Sequence, residues 1–228
     1  MFLPRACLFD LDGLLLDTEP LHGAAWHQAA AVFGASLSEA QLKKLRGRRR
    51  NDCALQINKW LKNPVPIEIL LSIQQPIAKR LLQEADPMPG AKSLVQWCSE
   101  HKLPMALVTS SSSDSINLKC APHSWLKLIT TRVLGDDSSL KAGKPAPDPF
   151  LLAAKRLNVD PRKCWAFEDS QAGTISALAA GCQVLVLEQK VGKTKEMKNT
   201  IIDNPTLISD LKMANEFLEK ASDATNDF

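Results

Sequence analysis

The sequence predicts an α/β fold in which helices cover both faces of a parallel β-sheet. Three observations predict it. Short apolar runs typical of strands recur at residues 6–9, 105–108, 129–134, 165–167 and 183–187. Segments with helical features separate the later runs, and strands that alternate with helices are typical of parallel sheets. Residues 19–86 carry helical periodicity without a convincing strand, which predicts a helical insert after the first strand.

Each predicted helix of the sheet domain has a start or stop signal. A helix over 91–101 begins directly after Gly90. A helix over 149–157 has Asp148 as its N-cap and Pro149 at its first position. A helix over 171–180 ends before Gly181, a common C-terminal stop. From Ala221 onward the residues are small and polar, which predicts a frayed tail.

The length of 228 residues allows one core domain with a smaller insert. We assign residues 1–18 and 87–228 to the core and residues 19–86 to the helical domain. A formal charge of +3 does not by itself favour nucleic acid. The six cysteines form no CxxC pair, which indicates buried thiols in a reducing compartment. The first strand begins almost directly after Met1, so we expect no signal peptide, and no apolar run approaches the ~20 residues of a membrane span. We therefore expect a cytoplasmic protein.

The first predicted strand ends in two carboxylates and a glycine, Asp10, Asp12 and Gly13. Side chains two positions apart on extended backbone point to the same side, so the two acids repel each other and favour a bound cation or a proton. A calcium loop of the EF-hand type is excluded, because its alternating oxygen ligands and closing glutamate are missing. Alone, the pair could also be two solvated acids at a strand end.

Further polar residues follow the other predicted strands. Thr109 and Ser110 follow the run 105–108, and Glu168 and Asp169 follow the run 165–167. Lys144 lies just before the capped helix over 149–157. In an open α/β sheet, ligands bind beyond the carboxyl ends of the strands. We therefore expect acids, hydroxyl and lysine to form one site.

Four motifs carry a resemblance to a known family. They are FDLDGLLLDTEP at 9–20, ALVTSSS at 106–112, LGDDSSLKAGKPAPDPF at 134–150 and FEDSQAG at 167–173. Together they resemble the haloacid dehalogenase-like hydrolases, in the branch of β-phosphoglucomutase and pseudouridine-monophosphate phosphatase. The resemblance is weak through residues 39–86. It implies a Rossmann-like core and makes the insert a small cap domain that selects the substrate.

The resemblance also implies roles in a phosphatase reaction. Asp10 would attack phosphorus and form an aspartyl phosphate, and Asp12 would act as general acid and then general base. Thr109 and the backbone near Ser110 would hold phosphoryl oxygens, while Lys144 offsets the crowded negative charge. The implied cofactor is Mg²⁺, bound by the Asp10 carboxylate, the Asp12 carbonyl and Asp169. Glu168 would be either a further ligand or a hydrogen-bond acceptor behind the ligands.

Four residues near or in the insert are candidates for substrate binding. Thr18 and His22 match the hinge between core and cap. His22 either assists Asp12 in proton transfer or hydrogen-bonds within its own helix. Arg46 and Arg50 belong to a basic cluster that can grip an anionic substrate. A solvated helix start accounts for most of the charges in the cluster. Nucleic-acid binding is disfavoured because the cluster is short and only 5% of residues are aromatic.

These inferences predict a Mg²⁺-dependent phosphatase for a small phosphorylated metabolite, either a sugar phosphate or a nucleotide-like monoester. A sugar-phosphate mutase of the β-phosphoglucomutase type is the alternative, because it needs the same phosphorylated intermediate. A catalytically silent regulatory module is a lower alternative, since all the carboxylates and the lysine are present. We expect a monomer that binds neither nucleic acid nor membrane.

Overall fold

The computed structural model describes residues 2–45, 50–188 and 205–226. Within these residues one six-stranded parallel sheet is formed. Its strands are β1 (Ala6–Phe9), β2 (Met105–Val108), β3 (Thr131–Val133), β4 (Cys164–Glu168), β5 (Gln183–Leu187) and β6 (Thr206–Ile208). Their order across the sheet is β3-β2-β1-β4-β5-β6. The α/β class predicted from the sequence is confirmed.

Nine α-helices occur in the same described ranges. They are α1 (Glu19–Ala31), α2 (Glu39–Leu45), α3 (Arg50–Asn58), α4 (Ile67–Leu81), α5 (Ala91–Glu100), α6 (Ser113–Cys120), α7 (Asp148–Arg156), α8 (Gln171–Ala179) and α9 (Leu211–Asn226). None of these helices is both long and apolar enough to span a membrane.

The two faces of the sheet bury different residues, because successive side chains of a strand point to opposite sides. Leu8 of β1 packs in an apolar cluster with residues of α7 and α8. Cys7 faces the other side, where burial and the neighbouring Cys98 of α5 raise the pKa of its thiol. The rings of Phe9 and Phe167 stack with centroids 4.8 Å apart. Helices therefore cover both faces, and the central strands β1 and β2 are apolar along their length, as expected for such a sheet.

Strand β1 lies in the middle of the sheet and positions the site. Leu8 pairs with Ala106 of β2 on one side and with Ala166 of β4 on the other. Since all three strands are parallel, the segments that follow them leave the sheet at the same edge. Gly13 then turns the chain with a φ of +87°, and its amide donates to the Leu16 carbonyl at 2.8 Å.

The chain divides into two compact units. One comprises residues 1–16 and 87–228 and contains the sheet. The other, Asp17–Asp86, contains α1 to α4 and has an apolar core of its own around Trp26, Ile57 and Leu70. Its two ends are joined by a hydrogen bond from the Asp17 amide to the Asp86 carbonyl at 2.8 Å.

The structure corrects four details of the sequence prediction. Strand β3 is shorter than the predicted run 129–134, because the Ile129 amide is hydrogen-bonded back to Leu126 of the preceding 3₁₀ turn at 3.3 Å and not to a strand. Asp148 is not an N-cap: α7 begins at Asp148, and Pro147 precedes it. The predicted frayed tail is wrong as far as Asn226, since α9 continues to that residue. Strand β6 was not predicted, because it is only three residues long and one of them is exposed.

Candidate active site

Three buried carboxylates meet where β1 and β4 end. Asp10 directly follows β1, Glu168 is the last residue of β4, and Asp169 follows it. The Asp10 amide donates to the Phe167 carbonyl at 3.1 Å, which keeps the two strand ends together. One oxygen of each carboxylate lies within 4.8 Å of the other two. Hard oxygen donors in such a group suit Mg²⁺, so these residues fit the ion that the sequence predicts.

Lys144 lies in the middle of this acidic group. Its Nζ donates to Oδ1 of Asp10 at 2.5 Å, to Oε1 of Glu168 at 2.5 Å and to the Val108 carbonyl at 2.9 Å. An ammonium group has three hydrogens, and each of these three acceptors takes one of them. Nζ also lies 5.3 Å from the centre of the Phe150 ring, within the range of a cation–π interaction. Lys144 thus fixes the side chains of Asp10 and Glu168.

The electrostatics of the group depend on burial. Burial raises the pKa of Asp10 to about 7, and the charges of Glu168 and Asp12 add to that rise against the opposing effect of Lys144. Burial works against the charged form of Lys144, but Asp10 and Glu168 outweigh it and raise the pKa of the ammonium group. The lysine therefore stays charged, and the carboxylates carry more negative charge than one lysine can neutralise. A divalent cation would relieve that excess.

Glu168 is held in place from the side opposite Lys144. The Ser170 hydroxyl donates to Oε2 of Glu168 at 3.0 Å and accepts a hydrogen bond from the Gly173 amide at 3.1 Å. Ser170 is the N-cap of α8. Glu168 is completely buried, and its carboxylate lies directly against Gly173, where a β-carbon would overlap with it. The start of α8 thus shapes the pocket that orients this carboxylate.

The loop after β2 carries Thr109 and Ser110. Thr109 is buried, and its amide donates to the Val133 carbonyl at 3.0 Å. Ser110 is exposed. The Gly135 amide donates to the Ser111 carbonyl at 2.8 Å, and a β-carbon on Gly135 would collide with the backbone of Ser110. The loop after β3 therefore holds the loop that the sequence assigns to the phosphoryl oxygens.

Asp12 has a lysine of its own, which the sequence analysis missed. Nζ of Lys119 lies 2.6 Å from each carboxylate oxygen of Asp12. The Ser111 hydroxyl donates to Oδ2 of Asp12 at 2.8 Å and accepts from Lys119 at 2.7 Å. Lys119 is completely buried at the end of α6. In the sequence it resembles an ordinary surface lysine of a polar helix, and only its position eight residues after a serine of the ALVTSSS motif could have drawn attention to it.

The remaining candidates belong to the helical unit. Thr18 is buried and precedes α1, and its carbonyl accepts from the His22 amide at 3.0 Å. His22 is half-buried in the first turns of α1. Arg50 is the first residue of α3 and is exposed. Arg46 lies outside the described residues.

The chain matches one known protein family over most of its length and is similar to phosphatases from other organisms. Residues 7–187 match the sequence profile of the family described as "Haloacid dehalogenase-like hydrolase". A "Probable pseudouridine-5'-phosphatase" of Drosophila melanogaster is 36% identical over 185 residues, which is 79% of this chain and 80% of the fly protein. The fructose-1-phosphate phosphatase YqaB of Escherichia coli is 32% identical over 177 residues, 76% of this chain and 91% of its own.

Solved structures share the fold. A Thermotoga maritima structure described provisionally as a β-phosphoglucomutase superimposes with a TM-score of 0.78 and 26% identity, over 94% of this chain and 98% of that one. A hydrolase of Entamoeba histolytica superimposes with the same TM-score of 0.78 at 24% identity, over 95% of this chain and 99% of its own.

Proposed function

The chain belongs to the haloacid dehalogenase-like hydrolase family and is a phosphoric monoester hydrolase, and from this premise we propose that it hydrolyses a small phosphorylated metabolite through an aspartyl phosphate on Asp10, with Mg²⁺ as cofactor. The observation that carries the proposal is the buried contact of Lys144 with both Asp10 and Glu168. A lysine in that position orients a carboxylate nucleophile and offsets the charge of a phosphoryl group.

The proposed reaction has two steps. In the first, a carboxylate oxygen of Asp10 bonds to phosphorus, the bond from phosphorus to the leaving oxygen breaks, and Asp12 gives that oxygen a proton. In the second, water attacks phosphorus, Asp12 takes a proton from it, and the bond between Asp10 and phosphorus breaks. Thr109 and the amides near Ser110 would hold phosphoryl oxygens throughout.

We propose that Mg²⁺ is bound by the carboxylates of Asp10 and Asp169 and by the Asp12 carbonyl. When bound, the ion would neutralise negative charge next to the phosphoryl group. Glu168 already accepts hydrogen bonds from Lys144 and Ser170. This supports a role behind the ligands, where it holds Lys144 in place.

We propose further that the helical unit Asp17–Asp86 acts as the cap, with Thr18, His22, Arg46 and Arg50 contributing to substrate choice. The relatives are named "Probable pseudouridine-5'-phosphatase" and fructose-1-phosphate phosphatase, and these names support a nucleotide-like or sugar monoester as substrate. All six cysteines lie among the described residues, are buried and form no disulfide, which supports a cytoplasmic protein. We also propose that the protein is a monomer.

A panel of phosphorylated metabolites tests the proposal directly. After exhaustive chelation, the protein receives Mg²⁺ and one substrate at a time, and released phosphate is measured. We expect turnover of at least one sugar phosphate or nucleoside monophosphate, and none with the Asp10→Asn variant. No phosphate release from any monoester, by a folded protein with Mg²⁺ present, would contradict the proposal.

A sugar-phosphate mutase is the second candidate, supported by the Thermotoga maritima structure. The two activities share the first step and differ in what accepts the phosphoryl group. The same panel separates them if the sugar products are analysed together with free phosphate. A mutase would return an isomeric sugar phosphate, whereas a phosphatase would return the free sugar.

A further inference from the structure

We propose that Lys119, together with Ser111, is a positioning residue that holds the Asp12 side chain in the orientation needed for proton transfer. Lys119 would act entirely through Asp12 and would not contact the phosphoryl group. This inference rests on the proposed function, because it assumes that Asp12 transfers protons to and from the substrate. It adds a second lysine to a site in which the sequence points only to Lys144.

The contacts form a closed ring of three side chains. Lys119 donates to both oxygens of Asp12 at 2.6 Å and to the Ser111 hydroxyl at 2.7 Å. Ser111 donates its own hydrogen to Oδ2 of Asp12 at 2.8 Å. All three hydrogens of the ammonium group are used, as is the single hydrogen of the hydroxyl. An aspartate bound in this way by two neighbours can rotate about neither of its side-chain bonds without breaking hydrogen bonds.

The two ends of the Lys119–Asp12 salt bridge differ in burial. Lys119 is completely buried, and lysine is almost never fully buried unless it is paired. Asp12 by contrast is only partly buried, with 20% of its side chain exposed. One end of this salt bridge is therefore fixed inside the protein, while the other borders the site. This is the arrangement expected when the buried partner serves to orient the exposed one.

The ring is anchored to the loop assigned to the phosphoryl oxygens. Ser111 belongs to that loop, and Lys119 lies at the other end of α6. The start of α6 is itself fixed, because the Ser113 amide and hydroxyl donate to Asp136 at 3.0 and 2.7 Å. Asp12 is thus hydrogen-bonded to the same segment that carries Thr109 and Ser110. Small misplacements of a catalytic group can cost about a hundredfold in rate, so this link has a measurable consequence.

The experiment measures how the rate depends on the leaving group. An alkyl phosphate needs a proton on its leaving oxygen, whereas p-nitrophenyl phosphate has a good leaving group and needs little protonation. We expect Lys119→Met to lower kcat/KM about a hundredfold for the alkyl phosphate and less than about tenfold for the aryl phosphate. We expect the double variant Lys119→Met, Asp12→Asn to be no slower than Asp12→Asn alone, because a residue that acts through Asp12 has nothing to position without it.

Two further variants complete the test. Ser111→Ala removes one hydrogen bond to Asp12 at little cost in packing, and it should show the same preference for the aryl phosphate with a smaller loss. If Lys119→Met fails to fold, the preference of Ser111→Ala for the aryl phosphate still tests whether these hydrogen bonds position Asp12. Lys127→Met replaces an exposed lysine and should change neither rate.

Equal losses on both substrates, or losses of Lys119→Met and Asp12→Asn that add, would overturn the positioning role while leaving the phosphatase intact. A wild-type protein that releases no phosphate from either substrate would overturn the proposed function and this inference together.

Discussion

The carboxylate of Glu168 occupies the space that a β-carbon on Gly173 would need. Gly173 lies in the first turn of α8, and its amide donates to Ser170, which in turn donates to Glu168. The helix therefore approaches the carboxylate as closely as a backbone can. Only glycine permits this approach, because every other residue carries a β-carbon.

Gly173→Ala should therefore destabilise the protein and displace Glu168. Overpacking of this kind typically costs about 1–3 kcal/mol in the free energy of unfolding, against a gain of roughly 0.5–1 kcal/mol from replacing glycine in a helix. Denaturant unfolding and magnesium titration would measure both effects. Gly23→Ala is the matched control, because Gly23 lies in α1 and, among the described residues outside that helix, a β-carbon there would approach only Leu42, at 3.9 Å. Unchanged stability and magnesium affinity in Gly173→Ala would show that Glu168 has room to move.

Asp10→Asn should remove turnover almost completely and leave the fold intact, because an amide does not attack phosphorus. Asp12→Asn should also be severe for alkyl phosphates and milder for substrates with good leaving groups. Phosphate release and circular dichroism would be measured for both. Asp114→Asn, at an exposed position of α6, is the control. Retention of Asp10→Asn activity within about tenfold of wild type would disprove the nucleophile assignment.

Removal of metal should abolish activity, and Mg²⁺ should restore it, because three buried carboxylates lie together here and Lys144 pairs with two of them, Asp10 and Glu168. Ca²⁺ should inhibit, since its larger and more flexible coordination shell can engage both oxygens of the nucleophile and misalign the attack. Phosphate release after chelation and metal addition measures this. Full activity in excess chelator would contradict the requirement for a divalent ion.

The contribution of Asp10 to the stability of the metal-free protein should fall as the pH rises from about 4 to about 7. Burial raises the pKa of Asp10 from its ordinary 3.8 to about 7, so between these values the folded state binds a proton that the unfolded state has lost. Above pH 7 the decline from this group should end. Mg²⁺ should therefore raise the melting temperature more at pH 8 than at pH 5. In Asp10→Asn the decline of stability with rising pH should be smaller. An equally steep decline in that variant would show that other groups cause it.

Arg50→Ala should affect substrate choice rather than chemistry, if the exposed start of α3 grips a distal anion. We expect a loss of roughly 1–3 kcal/mol in transition-state stabilisation for substrates with a second anionic group. The loss should nearly vanish with a minimal aryl phosphate. Lys59→Ala, another exposed cation next to the same helix, is the control. Equal losses on both kinds of substrate would place Arg50 in the chemistry, and no loss on either would make it a solvated side chain.

The fold could be predicted from the sequence wherever burial is uniform. Strands β1, β2 and β5 begin and end where their apolar runs do, because each is covered on both faces. Short or half-exposed elements could not be predicted in this way. Strand β6 has three residues, and α6 has no pronounced apolar face, so neither gives a periodic signal. Their existence depends on neighbours that are distant in sequence.

The residues of the candidate site differ in the same way. The contact of Lys144 with Asp10 and Glu168 could be predicted, because each of the three follows or precedes a recognisable element. Lys119 could not, since nothing in a polar helix distinguishes a buried lysine from a solvated one. What buries it is the approach of α6 to Asp12, which pairs residues 107 positions apart. Such a contact is decided by tertiary structure.

The central position of β1 has a consequence for how the chain folds. Its residues emerge during synthesis well before those of its partners β2 and β4, which begin at residues 105 and 164. Contacts between such distant residues form slowly, because a long loop must close before they contribute. Until then an apolar strand with two unpaired edges is exposed to other chains. We therefore expect the nascent protein to depend on chaperones, or on a low concentration, for longer than its size suggests.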